Sequence, residues 1–186
     1  MQGPTTVTAK PLYYFAYGSN LLSSRLQART PSARPVGTAT LPGWQLRFHK
    51  VGSDGSGKGD IVPAADDVVT GVLYRLRARD LWRLDLAEGA GYRRRRIAVC
   101  VAERWQRCET YVATDTDSEL LPYDWYRSLI LAGLLEHDIR GPMLERVLAT
   151  PALADPRRFR GARLRALRAL HRFSARRPDL AKELGR

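Results

Sequence analysis

Leu12-Tyr13-Tyr14-Phe15-Ala16-Tyr17-Gly18-Ser19-Asn20-Leu21-Leu22 decides how this chain is read. Leu12 to Tyr17, rich in aromatics, has the character of a buried strand. Gly18-Ser19-Asn20 stops it. Leu21, Leu22, Leu26 and Ala28 then predict a short helix whose first turn lies at about Asn20 to Ser23. A strand-to-helix turn leaves backbone N–H groups unpaired at the positive end of the helix dipole. Such a corner suits a carboxylate, a phosphate or a developing oxyanion. Gly18 lets the backbone come close to a ligand, and Ser19 and Asn20 add side-chain donors. The plainer reading of these residues is that Ser19 or Asn20 only caps the helix.

Working outward, Trp44 to Phe48 alternates as a strand does. Residues 52–60 read as a flexible glycine-rich loop. Ile61-Val62 and Val68–Arg75 read as short strands separated by a turn at Asp66-Asp67. Arg77–Glu88 has helical spacing in Leu81, Leu84 and Ala87, with Asp80 as an early cap and Gly89 and Gly91 as its end. Arg95–Ala102 and Glu109–Thr114 form two further strands. Helices follow at about Tyr123 to Glu136, Met143 to Leu148 and Arg157–Phe173, the last with Leu164, Leu167 and Leu170 at spacings of three. Strands with one helix inserted, then helices, predict an α+β fold: a small, mixed, mainly antiparallel barrel-like sheet with flanking helices. The expected division is a domain at 1–150 and a basic helical extension at 151–186.

The 186 residues are enough for a core without metal or disulfide staples. The longest apolar stretch, Leu129 to Leu135, is too short to cross a bilayer. No secretory signal pattern opens the chain, and two cysteines make no disulfide framework. A cytoplasmic protein is expected. The net charge of +12 is unevenly spread: residues 157–186 hold 11 lysines and arginines against 2 acids, and the rest holds 20 against 17. A nearly balanced body does not suggest a fold built around nucleic acid. The basic tail leaves an acidic partner open, or packs its leucine stripe on the body.

Glu88 stands out because it ends a helix, where the dipole disfavours a carboxylate, and because Leu84 and Leu81 share its face. That placement favours the protonated form and suits general-base work near neutrality. The plainer reading is a solvated residue paired with an arginine of 93–96. Tyr17, Tyr92, Tyr111 and Tyr126 lie at element edges, either lining a pocket or packed in the core with satisfied hydroxyls. Gly52 to Lys58 nearly spells a P-loop, but Gly59 stands where Ser or Thr is needed and Pro63 follows too soon for a helix. Lys58 is therefore expected to be a solvated loop lysine. His49, His137 and His171 show no ligand spacing with Cys100 or Cys108, so no metal site is expected. The two cysteines are expected to be reduced, in reach of each other across a hairpin.

Tyr14–Leu22 resembles the signature of the γ-glutamylcyclotransferases. Leu84-Asp85-Leu86-Ala87-Glu88-Gly89, followed by Tyr92, is similar to that family's second motif. The resemblance continues through Gly71–Tyr74, Thr110–Val112 and Tyr123–His137, and covers about Leu12 to Leu148. It implies a barrel fold, often dimeric, and a reaction with no cofactor or metal: the α-amine of a γ-glutamyl group attacks its own γ-carbonyl, giving 5-oxoproline and a free amine. Carried over to this chain, it implies Glu88 as general base and acid. It further implies Tyr17, Gly18, Ser19, Asn20 and Leu21 as the loop that holds substrate and oxyanion, with Tyr92, Tyr111 and Tyr126 lining the pocket. The small-molecule partner would be a γ-glutamyl amide. Two alternatives stay open: deprotection of a γ-glutamyl antibiotic intermediate of the butirosin type, and a non-catalytic module that uses its basic tail on nucleic acid or another acidic partner.

Overall fold

In the computed structural model, which describes residues 11–184, five strands close into a barrel in the order β1-β3-β2-β4-β5. The strands are β1 (Leu12–Ala16), β2 (Arg34–Val51), β3 (Gly57–Leu76), β4 (Tyr92–Val101) and β5 (Arg104–Ala113). Neighbours are antiparallel except where β1 meets β5, Tyr14 beside Glu109, to complete the closure. Among the described residues, the α-helices are α1 (Ser23–Arg29), α2 (Leu81–Glu88), α3 (Asp124–Glu136), α4 (Pro142–Ala149), α5 (Gly161–Arg176) and α6 (Pro178–Ala181). This is the α+β barrel with flanking helices expected from the order of elements.

β2 and β3 are longer than expected. Residues 52–56 alone make the turn between them, and Gly57–Asp60 pairs with β2 instead of forming a loop. Asp66-Asp67 is no turn either. Pro42 pairs with Val68 and Trp44 with Pro63, so residues 64–67 bulge opposite Gly43 and both prolines are accommodated without ending either strand. Asp67 is held in the bulge by Gln45 Nε2 at 2.8 Å and by Arg146 of α4. Between β4 and β5, Ala102 and Glu103 both have positive φ, 45° and 62°, as a two-residue turn matching strand twist requires. The register places Cys100 opposite Trp105 and Cys108 opposite Ile97, so the two thiols do not face one another and both are free. Burial pushes the Cys108 thiol up to about 12.

α3 is apolar on nearly all sides, from Trp125 and Tyr126 through Leu129 to Leu135, and is buried accordingly. It packs against the turn after β1, against α4 and against α5. Gly133 makes the closest of these contacts possible: a Cβ there would lie 2.4 Å from Leu21 Cβ and 2.6 Å from the Leu22 nitrogen. α5 does not bury its leucine stripe. Ala166, Ala169 and Phe173 face the core, Leu170 is partly buried against it, and Leu167 is exposed. Small residues let α5 lie close to α3 while its arginines stay at the surface. Asp80 makes no side-chain cap on α2 and instead lies 3.9 Å from Arg83. Among the described residues, no helix is long and apolar enough to cross a membrane.

α1 is fixed at its start by a carboxylate from the end of α3. Glu136 Oε2 accepts from the Ser23 N–H at 2.7 Å and lies 3.3 Å from His137 Nε2. Burial raises the Glu136 carboxyl, but His137 and Ser23 outweigh it and hold the group below the usual range. A carboxylate with a depressed folded-state pKa adds stability above its unfolded value, about 4.3, and loses it as pH falls through the folded value. Glu136→Gln is therefore expected to lower stability at pH 7 and to lose most of that effect at pH 3, read by urea denaturation at both. An equal difference at the two pH values would contradict this role.

Candidate active site

β1 ends at Ala16, and the chain turns through Gly18 into a single 3-10 turn, Ser19–Leu21. The first bond of that turn runs from the Leu21 N–H to the Gly18 carbonyl at 2.9 Å. The Ser19 and Asn20 N–H groups lie ahead of it and make no bond within the turn. Neither the turn nor α1 is capped by a side chain of its own N-cap residue. Asn20 instead reaches across to α2. Its Nδ2 donates to Glu88 Oε1 at 2.7 Å and to the Tyr14 hydroxyl at 3.0 Å, and its Oδ1 accepts from Arg29 Nη1 at 3.0 Å. Arg29 also lies 3.3 Å from Glu88 Oε1.

Glu88 sits where α2 stops. Gly89 follows with φ +74°, the left-handed conformation that ends helices and that a residue with a side chain adopts reluctantly. The chain then returns through Gly91 into β4. Glu88 is 14% exposed at its side chain and is held by α1 and by the turn after β1. None of the nearby arginines of β4 reaches it: Arg94 pairs with Asp85 at 2.9 Å, and Arg96 with Glu109 at 2.9 Å.

A small cleft is lined by Gly18, Ser19, Asn20 and Glu88, together with five tyrosines and Gly59. The tyrosines are Tyr14, Tyr17, Tyr92, Tyr111 and Tyr126, and their hydroxyls knit the walls together. Tyr126 OH accepts from the Gly59 N–H at 2.9 Å, and Tyr92 OH donates to the Gly59 carbonyl. Tyr17 OH donates to the Tyr111 carbonyl, and Tyr111 OH donates to Asp85 Oδ1 at 2.7 Å. Burial raises the pKa of all five, so they line the cleft as neutral hydroxyls. Behind Ser19, Arg25 Nε donates to its Oγ at 3.1 Å. Burial and then the adjacent Arg29 push the Arg25 pKa down. Among the described residues, no group of three or more His, Cys, Asp or Glu side chains is placed to hold a metal ion.

The cleft thus brings together Tyr17, Gly18, Ser19, Asn20, Glu88, Tyr92, Tyr111 and Tyr126. Leu21 is not part of it: its side chain is fully buried on Gly133, and its carbonyl accepts from Tyr74 OH at 2.8 Å. Tyr14, Arg25, Arg29 and Gly59 were not singled out from the sequence. Arg25 and Arg29 lie one helical turn apart on α1, a spacing that aims both toward the preceding turn. Gly59 was obscured by its placement in a loop. Lys58 is not a solvated lysine. Its Nζ contacts Asp54 Oδ1 and Oδ2 at 2.9 and 2.8 Å and lies 4.9 Å from the Tyr126 ring centroid. Burial lowers its pKa despite Asp54.

A carboxylate, a run of backbone N–H groups and a wall of neutral hydroxyls can move a proton and hold a developing oxyanion at one place. Residues 14–128 match the family model described as gamma-glutamyl cyclotransferase, AIG2-like. The chain belongs to this family. It is 30% identical to the gamma-glutamylcyclotransferase of Mus musculus over 157 residues, 80% of this chain and 81% of that one. It is 31% identical to the Homo sapiens gamma-glutamylcyclotransferase over 135 residues, 68% and 71% of the two chains. A solved structure of a gamma-glutamyl cyclotransferase superposes with a TM-score of 0.78 at 25% identity, covering 86% of this chain and 99% of that one.

Replacing Asn20 by Leu, of similar size, would leave the buried Tyr14 hydroxyl, Glu88 and Arg29 each one partner short. Asn20→Leu is expected to cost about 1–3 kcal/mol of stability, measured by urea denaturation. Stability equal to that of the unaltered protein would show that the amide is not a structural tie.

Proposed function

We propose that this chain converts a γ-glutamyl amide into 5-oxoproline and a free amine. The α-amine nitrogen of the glutamyl group attacks its own γ-carbonyl carbon. A C–N bond forms, the ring closes, and the C–N bond to the leaving nitrogen breaks. The attacking nitrogen gives up two protons as it goes from ammonium to lactam N–H: Glu88 takes the first and passes it to the leaving nitrogen, then takes the second and releases it to the departing amine, which ends as its ammonium. The Ser19 and Asn20 N–H groups receive the negative charge that develops on the carbonyl oxygen. Because nucleophile and electrophile belong to one molecule, the protein has to hold a bent conformer, shuttle a proton and supply oxyanion donors.

The observation that carries this reading is the 2.7 Å bond between Glu88 Oε1 and Asn20 Nδ2. Among the described residues, it sets the one carboxylate lining the cleft against the turn whose Ser19 and Asn20 N–H groups make no bond within it. Membership of a family whose named relatives are gamma-glutamylcyclotransferases supports the same reading.

Glu88→Gln tests it. The amide oxygen can still accept from Asn20 and Arg29, so the fold is expected to survive, while the proton shuttle is gone. Release of 5-oxoproline from γ-glutamyl amides is expected to fall by about 10²–10⁴-fold, with an unchanged circular dichroism spectrum. Near-native turnover by this variant would remove Glu88 from the chemistry.

A further inference from the structure

Where β1 begins, the chain forms a second cavity, of about 1040 Å³, and none of its described lining residues lines the cleft. Four arginines line it: Arg34 of β2, Arg75 of β3, and Arg77 and Arg79 just beyond β3. Asp80 is the one acid among the described lining residues, and it lies 3.9 Å from Arg83. Four guanidiniums against one carboxylate leave three positive charges in excess.

The sheet puts these cations together at a cost. Arg34 and Arg75 stand directly opposite each other in the β2–β3 pairing, and like charges so placed destabilise a sheet. Arg77 continues the extended chain, with φ −79° and ψ 132°. It therefore emerges on the same side as Arg75, while Tyr74 and Leu76, which alternate with them, are buried. Among the described residues, none of the four arginines is in an ion pair, whereas Arg94 and Arg96 of β4 both pair with acids. Residues 1–10 and 185–186 contain no aspartate or glutamate to neutralise them.

The cavity is also partly organised for a ligand. Arg34 Nη1 donates to the carbonyls of Pro31 and Ala33 at 2.9 and 2.8 Å. A guanidinium held in this way presents its other N–H groups as a fixed fork, which matches phosphate oxygens. Ser32 Oγ accepts from the Arg77 N–H at 3.1 Å and ties the segment after α1 to the end of β3. Pro11, Pro31 and Ala78 add apolar wall beside the cations. One small anion engages one or two guanidiniums. Four of them around one concavity call for linked anionic groups, and a phosphate brings more charge and more acceptor oxygens than a carboxylate.

We propose that this cavity binds a small molecule bearing two or three linked phosphates. The site is separate from the cleft and does not depend on the cyclotransferase reading.

Isothermal titration calorimetry on the full chain, without divalent cations, compares tripolyphosphate, ATP and inorganic phosphate. Saturable binding of tripolyphosphate or ATP at one site per chain is expected, with inorganic phosphate at least about tenfold weaker. Tighter binding of ATP than of tripolyphosphate would assign an organic ester as the source, and the reverse order an inorganic chain. The double variant Arg75→Gln, Arg77→Gln is expected to raise Kd by about tenfold to a hundredfold. It is expected to be no less stable than the unaltered protein in urea, because it removes a like-charge pair. Arg79→Gln, outside the sheet, gives a second reading of the site with no change to strand pairing. The control is Arg168→Gln, Arg172→Gln on the exposed face of α5, which removes the same charge and is expected to leave Kd unchanged. Three results would overturn the proposal. They are no binding of either oligophosphate, equal weakening by the cavity and α5 double variants, and inorganic phosphate bound as tightly as the longer ligands. The second would show general attraction to a basic protein.

Discussion

The side-chain amide of Asn20 has two N–H donors and an acceptor oxygen, and the fold uses all three sites. One donor goes to Tyr14 on β1, the other to Glu88 at the end of α2, and the oxygen to Arg29 on α1. Two elements that neighbour Asn20 in sequence, β1 and α1, are thereby tied to α2, whose Glu88 is 68 residues away, through one planar group with little freedom of its own. The geometry of the cleft follows from this tie. Glu88 cannot swing to solvent without breaking it, and the turn at Gly18 cannot shift without pulling the carboxylate along. The side chain that a helix-capping rule would assign to its own helix has been taken for a long-range contact, and the helix start is held instead by Glu136 from α3.

Around the tie, charge and size are distributed to one end. Glu88 has a cation beside it in Arg29, so the carboxylate is neither isolated nor fully neutralised by a rigid bidentate pair. The tyrosines are kept neutral by burial and spend their hydroxyls on backbone groups and on Asp85, which fixes the walls without adding charge. Gly133 allows α3 to press on the turn after β1, and α5 presses on α3 through alanines and Phe173. The helical layer so formed backs the turn after β1 from outside the barrel. Asp155 adds a second link from the chain after α4: it accepts from Trp125 Nε1 at 3.0 Å, and Trp125 in turn packs edge-on against Tyr126.

Much of this was legible in the residues because local chemistry and global fold agree there. The aromatic strand into Gly18-Ser19-Asn20, the helix ending at Glu88-Gly89 and the tyrosines at element edges all stand out before any coordinates, and the cleft gathers them. The errors share one cause, which is that tertiary partners changed the meaning of local signals. Gly57–Asp60 has loop composition, but β2 supplies it with a pairing partner. Asp66-Asp67 has turn composition, but Gln45 and Arg146 hold Asp67 in a bulge. Lys58 reads as solvated until Asp54, Tyr123, Trp125 and Tyr126 are brought around it. Leu21 sits inside the signature and still belongs to the core, because a 3-10 turn places successive side chains on different sides. The leucines of α5 gave a periodic signal, yet the tight approach to α3 selected the alanine face.

Glu88 and the N–H groups of the turn after β1 are proposed to act on the same substrate atoms. A crystal structure with a non-cleavable γ-glutamyl analogue, its scissile amide replaced by a ketomethylene, tests this most directly. The γ-carbonyl oxygen is expected within about 3.1 Å of the Ser19 or Asn20 nitrogen, with a Glu88 oxygen in hydrogen-bond reach of the α-amine. An analogue bound with its carbonyl directed away from that turn, or with Glu88 still turned to Asn20 and out of reach of the amine, would contradict it.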